Sequence, residues 1–480
     1  MIPITGFAPD VEAPTPGVIT DCEQFIPYLN GMEAAPSQLT PAGVPVLPFA
    51  CNGAVVAVKL DSTRRVIAGT ATKLYELGSG AWVDVSRVGS YTGGPDTRFS
   101  FTQFGDATLA ANKAQVIQRS LTGAFTDIAT APRAEIIFSV GSFVMALNTD
   151  FASHAWACSA LFDDTNWTPA IATQANRGLL VATPGPLTAG LRLGDYAVAY
   201  KYKSMYLGQY VGTPVVWDWT LITGGEAGCV GKEAVCDIDG KHFFVGPDNM
   251  WLFDGTRPIP IGTSEIRQWF YDNASAQNIF KTKCVFDRQK NRVWVFFCSN
   301  SSTECDSAIV YHVTTNKWGR ANRNVQAVVN YISPGATFNT WNQYGATFNT
   351  LPNVSFNSQF WLSGGSVLSV FNTSNQLQSI TGTPGASSFT TGDGGDDQTV
   401  TLLSQVKLRY AAGKKPTTAT GTAFRKMNSG DSYAVGASNI INDGKFDLLQ
   451  SSRWHRARFD FTGACQITGI DPKLTPQGQR

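Results

Sequence analysis

The sequence predicts an all-β fold, a β-propeller-like ring of short antiparallel strand groups with an extended N-terminal arm and a small C-terminal β region. From Gly53 onward, short apolar runs alternate with clusters of Gly, Asn and Asp, as expected for strands joined by turns. Three or four such runs fall within about 35 to 45 residues, the size of one propeller blade. The 46 Gly, 24 Pro, 29 Phe, 14 Tyr and 12 Trp residues also favour turns and strands over helices.

Residues 1–48 form the predicted arm. Nine prolines from Pro3 to Pro48 remove backbone donors and restrict the residues before them, so long strands and helices are disfavoured. We expect an extended segment that lies on the body of the protein or on a neighbouring subunit.

Residues 49–332 contain the predicted propeller strand groups, five to seven blades in all. The first group reads Gly53–Leu60, Arg65–Thr70, Lys73–Leu77 and Gly80–Val85. In the pairs Asp239-Gly240 and Asp254-Gly255, Asp-Gly separates apolar runs and predicts type I′ hairpin turns, with a metal-ligand role for Asp254 as the weaker alternative. A single short helix is predicted over Thr263–Asn273, capped by Ser264.

The remaining chain divides into three predicted parts. Residues 333–380 hold further strands and a duplicated hairpin, in which Gly335–Thr340 is repeated as Gly345–Thr350. Residues 381–399 have the Gly, Ser and Thr composition of a flexible linker. Residues 400–480 form a C-terminal β region that either closes the propeller or makes a platform domain.

Composition limits the classes of partner. A formal net charge of +1 produces no global field that would collect nucleic acid or an anionic membrane. The first residues lack the pattern of a signal peptide, and no apolar run is long enough to predict a membrane span. The nine cysteines contain no CxxC pair, so we predict buried, reduced thiols, with structural disulfides as the alternative.

No catalytic, cofactor-binding or metal site is predicted. The four histidines, His154, His242, His312 and His455, are scattered, and His242 is expected to be a half-buried strand residue. Neither a phosphate-binding loop nor a nucleophile elbow is present. The acidic pairs in Asp393–Asp397 and Asp163–Asp164 do not match a calcium loop and are interpreted as solvated.

Cations and aromatic residues raise two further alternatives. Cations alternate with aromatic residues in several segments and could contact phosphate, although solvated faces or intersubunit ion pairs are the simpler interpretation. Trp251, Phe253, Trp294, Phe296 and Trp318 are predicted to lie in the core between sheets, with a platform for sugars or bases as the alternative. The basic segments are Lys201–Lys203, Lys407–Arg409, Lys414–Lys415, Arg425–Lys426 and Arg453–Arg458.

The segment from Gly228 to Arg320 carries a resemblance to a known family. Its phrases run from Val235–Gly246 through Asn249–Gly255 and Asn291–Phe297 to Lys317–Arg320. Together with residues 450–480, this order resembles the tail nozzle, or packaged-DNA stabilisation (tail tubular B-like), proteins of short-tailed bacteriophages.

The resemblance implies a non-enzymatic structural protein of the virion tail, assembled in the host cytoplasm. Such a protein forms a homohexameric ring below the portal and adaptor, continues the DNA channel, retains packaged DNA and joins a tail needle, spike or fibre. Double-stranded DNA would pass through without specific binding, and no insertion into a membrane is expected. The alternatives are a propeller glycosidase, which needs two convergent carboxylates, and a glycan- or receptor-binding tail protein.

Overall fold

The computed structural model describes residues 1–332, 347 and 366–479, apart from residues 42, 79 and 95, and nearly all of its regular elements are β-strands. The predicted all-β class is therefore confirmed. The duplicated hairpin predicted at Gly335–Thr340 and Gly345–Thr350 lies outside the described residues, except for residue 347.

The N-terminal arm is extended and lies on the body of the protein. Its strands are short, as the prolines predict, and each pairs with a strand from elsewhere in the chain or with its neighbour in the arm. They are β1 (Ile2–Pro3), β2 (Gly6–Phe7), β3 (Val18–Glu23), β4 (Phe25–Tyr28), β5 (Gly31–Ala34) and β6 (Ser37–Leu39).

Five four-stranded antiparallel sheets follow in chain order, and we number them blades 1 to 5. Blade 1 contains β7 (Ala54–Val58), β8 (Arg64–Gly69), β9 (Leu74–Leu77) and β10 (Trp82–Asp84). Blade 2 contains β11 (Ser100–Phe104), β12 (Ala107–Ala111), β13 (Gln118–Ser120) and β14 (Thr126–Asp127). Blade 3 contains β15 (Ala134–Val140), β16 (Phe143–Thr149), β17 (Ala155–Cys158) and β18 (Asn176–Leu179). Blade 4 contains β19 (Leu187–Leu193), β20 (Tyr196–Lys201), β21 (Met205–Gly212) and β22 (Val216–Leu221). Blade 5 contains β23 (Val235–Asp237), β24 (His242–Val245), β25 (Met250–Phe253) and β26 (Pro258–Ile261).

The next strands complete the ring. After α1 (Arg267–Asn273) and a 3-10 turn (Ile279–Lys281) come β27 (Lys283–Asp287), β28 (Arg292–Phe297), β29 (Cys305–His312) and β30 (Lys317–Val325). The closing blade contains β31 (Ala327–Ile332), β32 (Ser366–Phe371) and β33 (Leu377–Gly382), with β6 of the arm as its outer strand. The described chain thus has six self-contained four-stranded blades, and the β27–β30 group stands in the ring between blade 5 and the closing blade.

Ring closure joins the two ends of the propeller. The inner strand β31 of the closing blade lies beside the inner strand β7 of blade 1. In the same blade, β33 pairs with β6 through Ser379 opposite Leu39 and Gly382 opposite Ser37. The arm therefore closes the propeller, and the alternative that residues 400–480 close it is wrong.

The C-terminal strands and the arm form two further layers. These strands are β34 (Ala386–Thr391), β35 (Gly394–Gly395), β36 (Thr399–Tyr410), β37 (Thr418–Lys426), β38 (Ala434–Ile440), β39 (Lys445–Ser452), β40 (Trp454–Thr462) and β41 (Gln466–Gln479). One layer continues the β27–β30 sheet through β4, β5, β41, β36 and β39, with β1 on β41. The other runs β2, β3, β34, β40, β37 and β38, with β35 on β40.

The prediction of a flexible linker at residues 381–399 is wrong. Within it, β34 pairs with both β3 and β40, and Phe389 is fully buried. The Ser-Ser-Phe-Thr-Thr sequence of β34 has good strand propensity, and burial of its aromatic side chain stabilises the pairing. The Gly, Ser and Thr composition of residues 381–399 had predicted a coil.

The predicted helix is shorter than expected. It spans Arg267–Asn273, and Ser264 makes no capping hydrogen bond; Ile266 is the N-cap. Asp10 of the arm instead accepts hydrogen bonds from the backbone N–H groups of Gln268 (2.6 Å) and Trp269 (3.0 Å). A carboxylate distant in sequence thus satisfies the free donors of the first turn.

Both Asp-Gly predictions are turns, but only one is type I′ in character. Asp239 and Gly240 have φ values of 47° and 87°, as that turn requires. Near Gly255, which has a φ of 100°, Asp254 has no positive φ and accepts hydrogen bonds from the backbone N–H (3.0 Å) and hydroxyl (2.5 Å) of Thr256. The Asp254 carboxylate organises its turn.

Candidate functional site at the mouth of the propeller channel

Charged side chains converge where the innermost strands of several blades begin. Arg98 precedes β11, Glu135 lies at the start of β15, Lys232 and Glu233 precede β23, and Lys283 is the first residue of β27. We call these five residues the mouth network. Propeller geometry brings them together because every inner strand begins at the same end of the central channel.

The mouth network consists of ion pairs between different blades. Glu233 Oε2 lies 3.4 Å from Arg98 Nη2 and 3.1 Å from Lys283 Nζ. Lys232 Nζ lies 2.8 Å from Glu135 Oε1 and donates to the backbone carbonyl of Arg98 at 2.5 Å. Blades 2, 3 and 5 and the β27–β30 group are thereby linked at one end of the ring.

Arg98 makes the widest set of contacts in the mouth network. Besides Glu233, its guanidinium donates to the carbonyl of Cys51 before blade 1, at 3.3 Å, and to the carbonyl of Gln326 before the closing blade. The planar guanidinium has five donors, which suits such a junction between several blades. Arg98 therefore ties the first and last blades to blade 5.

The cations of the mouth network keep the Glu233 carboxylate charged near neutral pH. Burial alone would raise the pKa of Glu233, but Arg98, Lys283 and Lys232 lower it to about 2. Burial lowers the pKa of Lys232, and Glu135 opposes that shift. A carboxylate with so low a pKa is a poor general acid near neutral pH, because it is almost never protonated there.

Beyond the mouth network, a cavity of about 560 Å³ lies along the inner strands of blades 1 to 4. Hydroxyl groups bridge two of these strands: Thr102 Oγ1 lies 2.9 Å from Ser139 Oγ, and Ser100 Oγ accepts from the backbone N–H of Ile137 at 3.0 Å. These hydroxyl groups are thus satisfied by hydrogen bonds between neighbouring inner strands. Among the described residues, no group of three or more His, Cys, Asp or Glu could hold a metal ion.

The buried histidines among the described residues have structural roles. His242 is fully buried, more than the half-buried position predicted; its Nδ1 lies 2.8 Å from the Tyr200 hydroxyl and its Nε2 lies 2.8 Å from the carbonyl oxygen of Arg192. His455 Nε2 lies 2.9 Å from Thr401 Oγ1. These rings join neighbouring strands and do not converge on a common site.

The acidic pairs are less solvated than predicted. Asp393 is only 5% exposed and pairs with Arg456 at 2.7 Å and Lys426 at 3.3 Å. Asp164 is buried and pairs with Arg119 at 2.6 Å. The prediction of a solvated segment is wrong for both residues, because each neutralises a cation from a neighbouring strand.

Several cations of the predicted basic segments also have partners within the chain. Lys201 is buried and donates to the carbonyls of Leu180 (2.7 Å) and Thr183 (2.5 Å), while Arg458 pairs with Asp460 at 2.8 Å. The five aromatic residues predicted as core, Trp251, Phe253, Trp294, Phe296 and Trp318, are all buried, as expected. All nine cysteines are free, and only Cys284 is not fully buried.

The mouth network has no local sequence signature. In several blades a charged residue stands at or just before the inner strand, and this shared position could have indicated the network. Recognising it requires the blade sequences to be aligned with one another. The blades share no strict repeat motif, so that alignment could not be made from the sequence.

The burial of His242 predicts that the thermal stability of the protein depends on pH. Burial lowers the pKa of His242 below its ordinary 6.5, so below that pH the unfolded chain binds more protons than the folded one. We expect the melting temperature to fall as the pH decreases from about 7 to about 5. The variant His242→Gln should melt lower at pH 7 but show a shallower pH dependence; equal slopes for the variant and the parent chain in thermal melts would contradict this.

Because its four-stranded antiparallel sheets are arranged as blades around a ring, the chain is a β-propeller protein. No family model and no curated protein matches its sequence. Solved structures with a similar fold include PorZ of Porphyromonas gingivalis, an essential surface component of the type-IX secretion system, at 12% identity and a TM-score of 0.36, covering 60% of this chain and 35% of PorZ.

Two further solved structures are similar at the same level. YCF48 from Cyanidioschyzon merolae is 13% identical with a TM-score of 0.36, over 60% of this chain and 88% of YCF48. A chain of the mitotic checkpoint complex is 8% identical with a TM-score of 0.41, over 72% and 92%. These likenesses concern the fold alone, and this chain spans about a third of the length of PorZ. No helix among the described residues is long and apolar enough to cross a membrane.

Proposed function

We propose that this chain is a structural subunit of the tail of a short-tailed bacteriophage, forming a hexameric ring below the portal and adaptor. In that ring, the subunits surround the DNA channel, help to retain packaged DNA and connect to distal tail proteins. The phrase resemblance over residues 228–320 and 450–480 suggests the family, and the closed mouth of the propeller channel is the structural observation that best supports a role by shape.

The mouth network bears on where DNA would pass. Arg98 before blade 2 meets Glu233 before blade 5 at 3.4 Å, across the end of the propeller channel. A duplex cannot pass through an opening spanned by a direct ion pair. In the proposed ring the DNA channel therefore lies between subunits, and the propeller serves as a solid wall element.

The charge distribution supports passage without tight binding. The net charge is +1, and Lys426, Arg456 and Arg458 are paired with carboxylates of the same chain. Duplex affinity rises with the number of phosphates neutralised by cations, so paired cations contribute little to it. A conduit requires such weak contact, because DNA must slide during ejection.

Exposed apolar residues provide surface for assembly. Val435 and Ile440 on β38 and Leu449 on β39 are each about 70% exposed, on strands at the ends of the two C-terminal layers. Exposed apolar side chains on edge strands favour contacts with other chains. This supports an assembled state over an isolated monomer.

Electron microscopy of purified particles would test the proposal. We expect a label on residue 480 to decorate the tail as a six-fold set around its axis, below the head. Detection of the chain only as a dispersed monomer in infected cells, absent from purified particles, would contradict the proposed function. Release of reducing sugar from host surface polysaccharide by the purified chain would favour the glycosidase alternative instead.

A further inference from the structure

Two thiols face each other at the loop end of the β28–β29 hairpin. Cys298 directly follows β28 and Cys305 begins β29; the Cys298 thiol donates a hydrogen bond to Cys305 Sγ, with 3.9 Å between the sulfur atoms. Both residues are buried. This is the one thiol–thiol hydrogen bond in the part of the chain that the structure describes.

A cation distinguishes the two thiols. Lys283 Nζ, which also contacts Glu233 in the mouth network, lies 3.9 Å from Cys305 Sγ. The hydrogen bond from Cys298 is the largest cause that lowers the pKa of Cys305, to about 7, with Lys283 and Arg98 contributing against burial. The pKa of Cys298 is raised by the same hydrogen bond and by burial. Cys305 is therefore the better nucleophile of the pair.

A short loop joins the two strands beside the pair, and the Cys305 thiol also donates to the carbonyl of Lys281 at 3.3 Å. Residues 299–304 connect the two strands, and Asn300, Ser301 and Thr303 in this loop are exposed. Both thiols belong to the apolar cluster that includes Trp294 and Phe296, so local opening of this end of the hairpin is required to admit a small reagent to the sulfur atoms. A disulfide then requires the sulfur atoms to approach from 3.9 Å to about 2.05 Å, a small movement at a hairpin end.

We propose that Cys298 and Cys305 are a site of reversible intrachain disulfide formation, driven by exchange with a small-molecule disulfide such as oxidised glutathione. The Cys305 thiolate attacks one glutathione sulfur, the glutathione S–S bond breaks, and one glutathione thiolate leaves with the electron pair. Cys298 then loses its proton to solvent and attacks Cys305 Sγ, displacing the second glutathione thiolate. Two protein thiols are oxidised and one small disulfide is reduced to two thiols.

The disulfide would act on the mouth network through Lys283. It removes the negative charge that the Cys305 thiolate carries beside Lys283, and it ties the two strands together at the loop end of the hairpin. A crosslink in a folded hairpin reduces the conformational freedom of the unfolded chain, so the oxidised protein should melt at a higher temperature. This site does not depend on the proposed tail function.

Peptide mapping of the full chain tests the site directly. The purified protein is incubated with oxidised glutathione, denatured, alkylated and digested with trypsin; Val293–Lys317 then contains Cys298 and Cys305 and no other cysteine. We expect this peptide to be unalkylated and two hydrogen atoms lighter than the reduced peptide. The other seven of the nine cysteines should be alkylated. Disulfide formation should become faster as the pH rises through about 7, because the Cys305 thiol then loses its proton. The oxidised protein should also melt higher, and dithiothreitol should reverse the change.

Two variants test the site further: one removes Cys298, and the other is a control. In Cys298→Ser, Cys305 has no resolving thiol, so we expect it to retain one glutathione as a mixed disulfide. The matched variant Cys158→Ser, which alters a buried cysteine of blade 3, should form the Cys298–Cys305 disulfide as the parent chain does. Alkylation of both cysteines in the parent chain, or a disulfide between a different pair, would overturn the proposal even if either variant failed to fold.

Discussion

Replacing Glu233 by Gln should lower the free energy of unfolding by about 1–3 kcal/mol, because it removes the shared carboxylate of two partly buried ion pairs. The variant would leave Arg98 and Lys283 facing each other without the carboxylate that lies 3.4 Å and 3.1 Å from them. Urea unfolding monitored by tryptophan fluorescence would measure the change as a lower midpoint.

The control for Glu233→Gln is the same substitution in an exposed pair. Glu226 pairs with Lys203 at 2.7 Å, but the two side chains are 68% and 61% exposed. Water screens such a pair, so Glu226→Gln should leave the midpoint unchanged. Equal midpoints for Glu233→Gln and the parent chain would show that the mouth network does not stabilise the ring.

The mouth network also predicts an acid transition. The folded pKa of Glu233 is about 2, against an ordinary value of 4.5, so its stabilising effect is fully present above pH 4.5 and is lost as the pH falls through about 2. The variant Glu233→Gln should lack this component of acid destabilisation. Its unfolding midpoint should therefore approach that of the parent chain at the lowest pH.

Replacing Phe389 by Ala should cost about 3–5 kcal/mol, the usual range for a buried Phe truncated to Ala. The ring of Phe389 is fully buried between the two layers that the arm and the C-terminal strands form. Its centroid lies 5.2 Å, 5.3 Å and 5.8 Å from the ring centroids of Phe25, Phe459 and Phe461. It thus joins the arm to the C-terminal strands. The same urea measurement would detect the loss.

Phe162→Ala is the matched control for Phe389→Ala. The Phe162 side chain is 75% exposed, so its truncation creates no cavity and should leave stability nearly unchanged. If Phe389→Ala were as stable as Phe162→Ala, β34 would not belong to the packed layers and residues 381–399 would behave as the linker that composition predicted.

Local pattern was sufficient to predict the fold class. Alternation of apolar and polar residues over four or five positions identifies a strand, and Gly or Asp at positions of positive φ identifies its turn, as Asp239 and Gly240 illustrate. The buried aromatic residues, such as Trp294 and Trp318, could be predicted for the same reason. These features depend on residues that are neighbours in sequence.

The candidate site could not be predicted in this way. Arg98 and Glu233 are separated by more than a hundred residues, and nothing near either one indicates that the two meet across a channel. The predicted cap Ser264, in whose place Asp10 accepts from the helix, and the predicted solvation of Asp393 were wrong for the same reason, since the true partners are distant in sequence. Partner choice for a charge is a property of the folded chain.

An all-β protein with a Pro-rich arm and mostly buried thiols could be predicted from residue patterns, because strand, turn and burial tendencies are local. Three features emerge only in the folded chain: the arm closes the ring through β6, β34 is a packed strand, and five charged side chains meet at the channel mouth. Sheet pairing and ion pairing join residues far apart in the chain, and their energies depend on burial that exists only after folding.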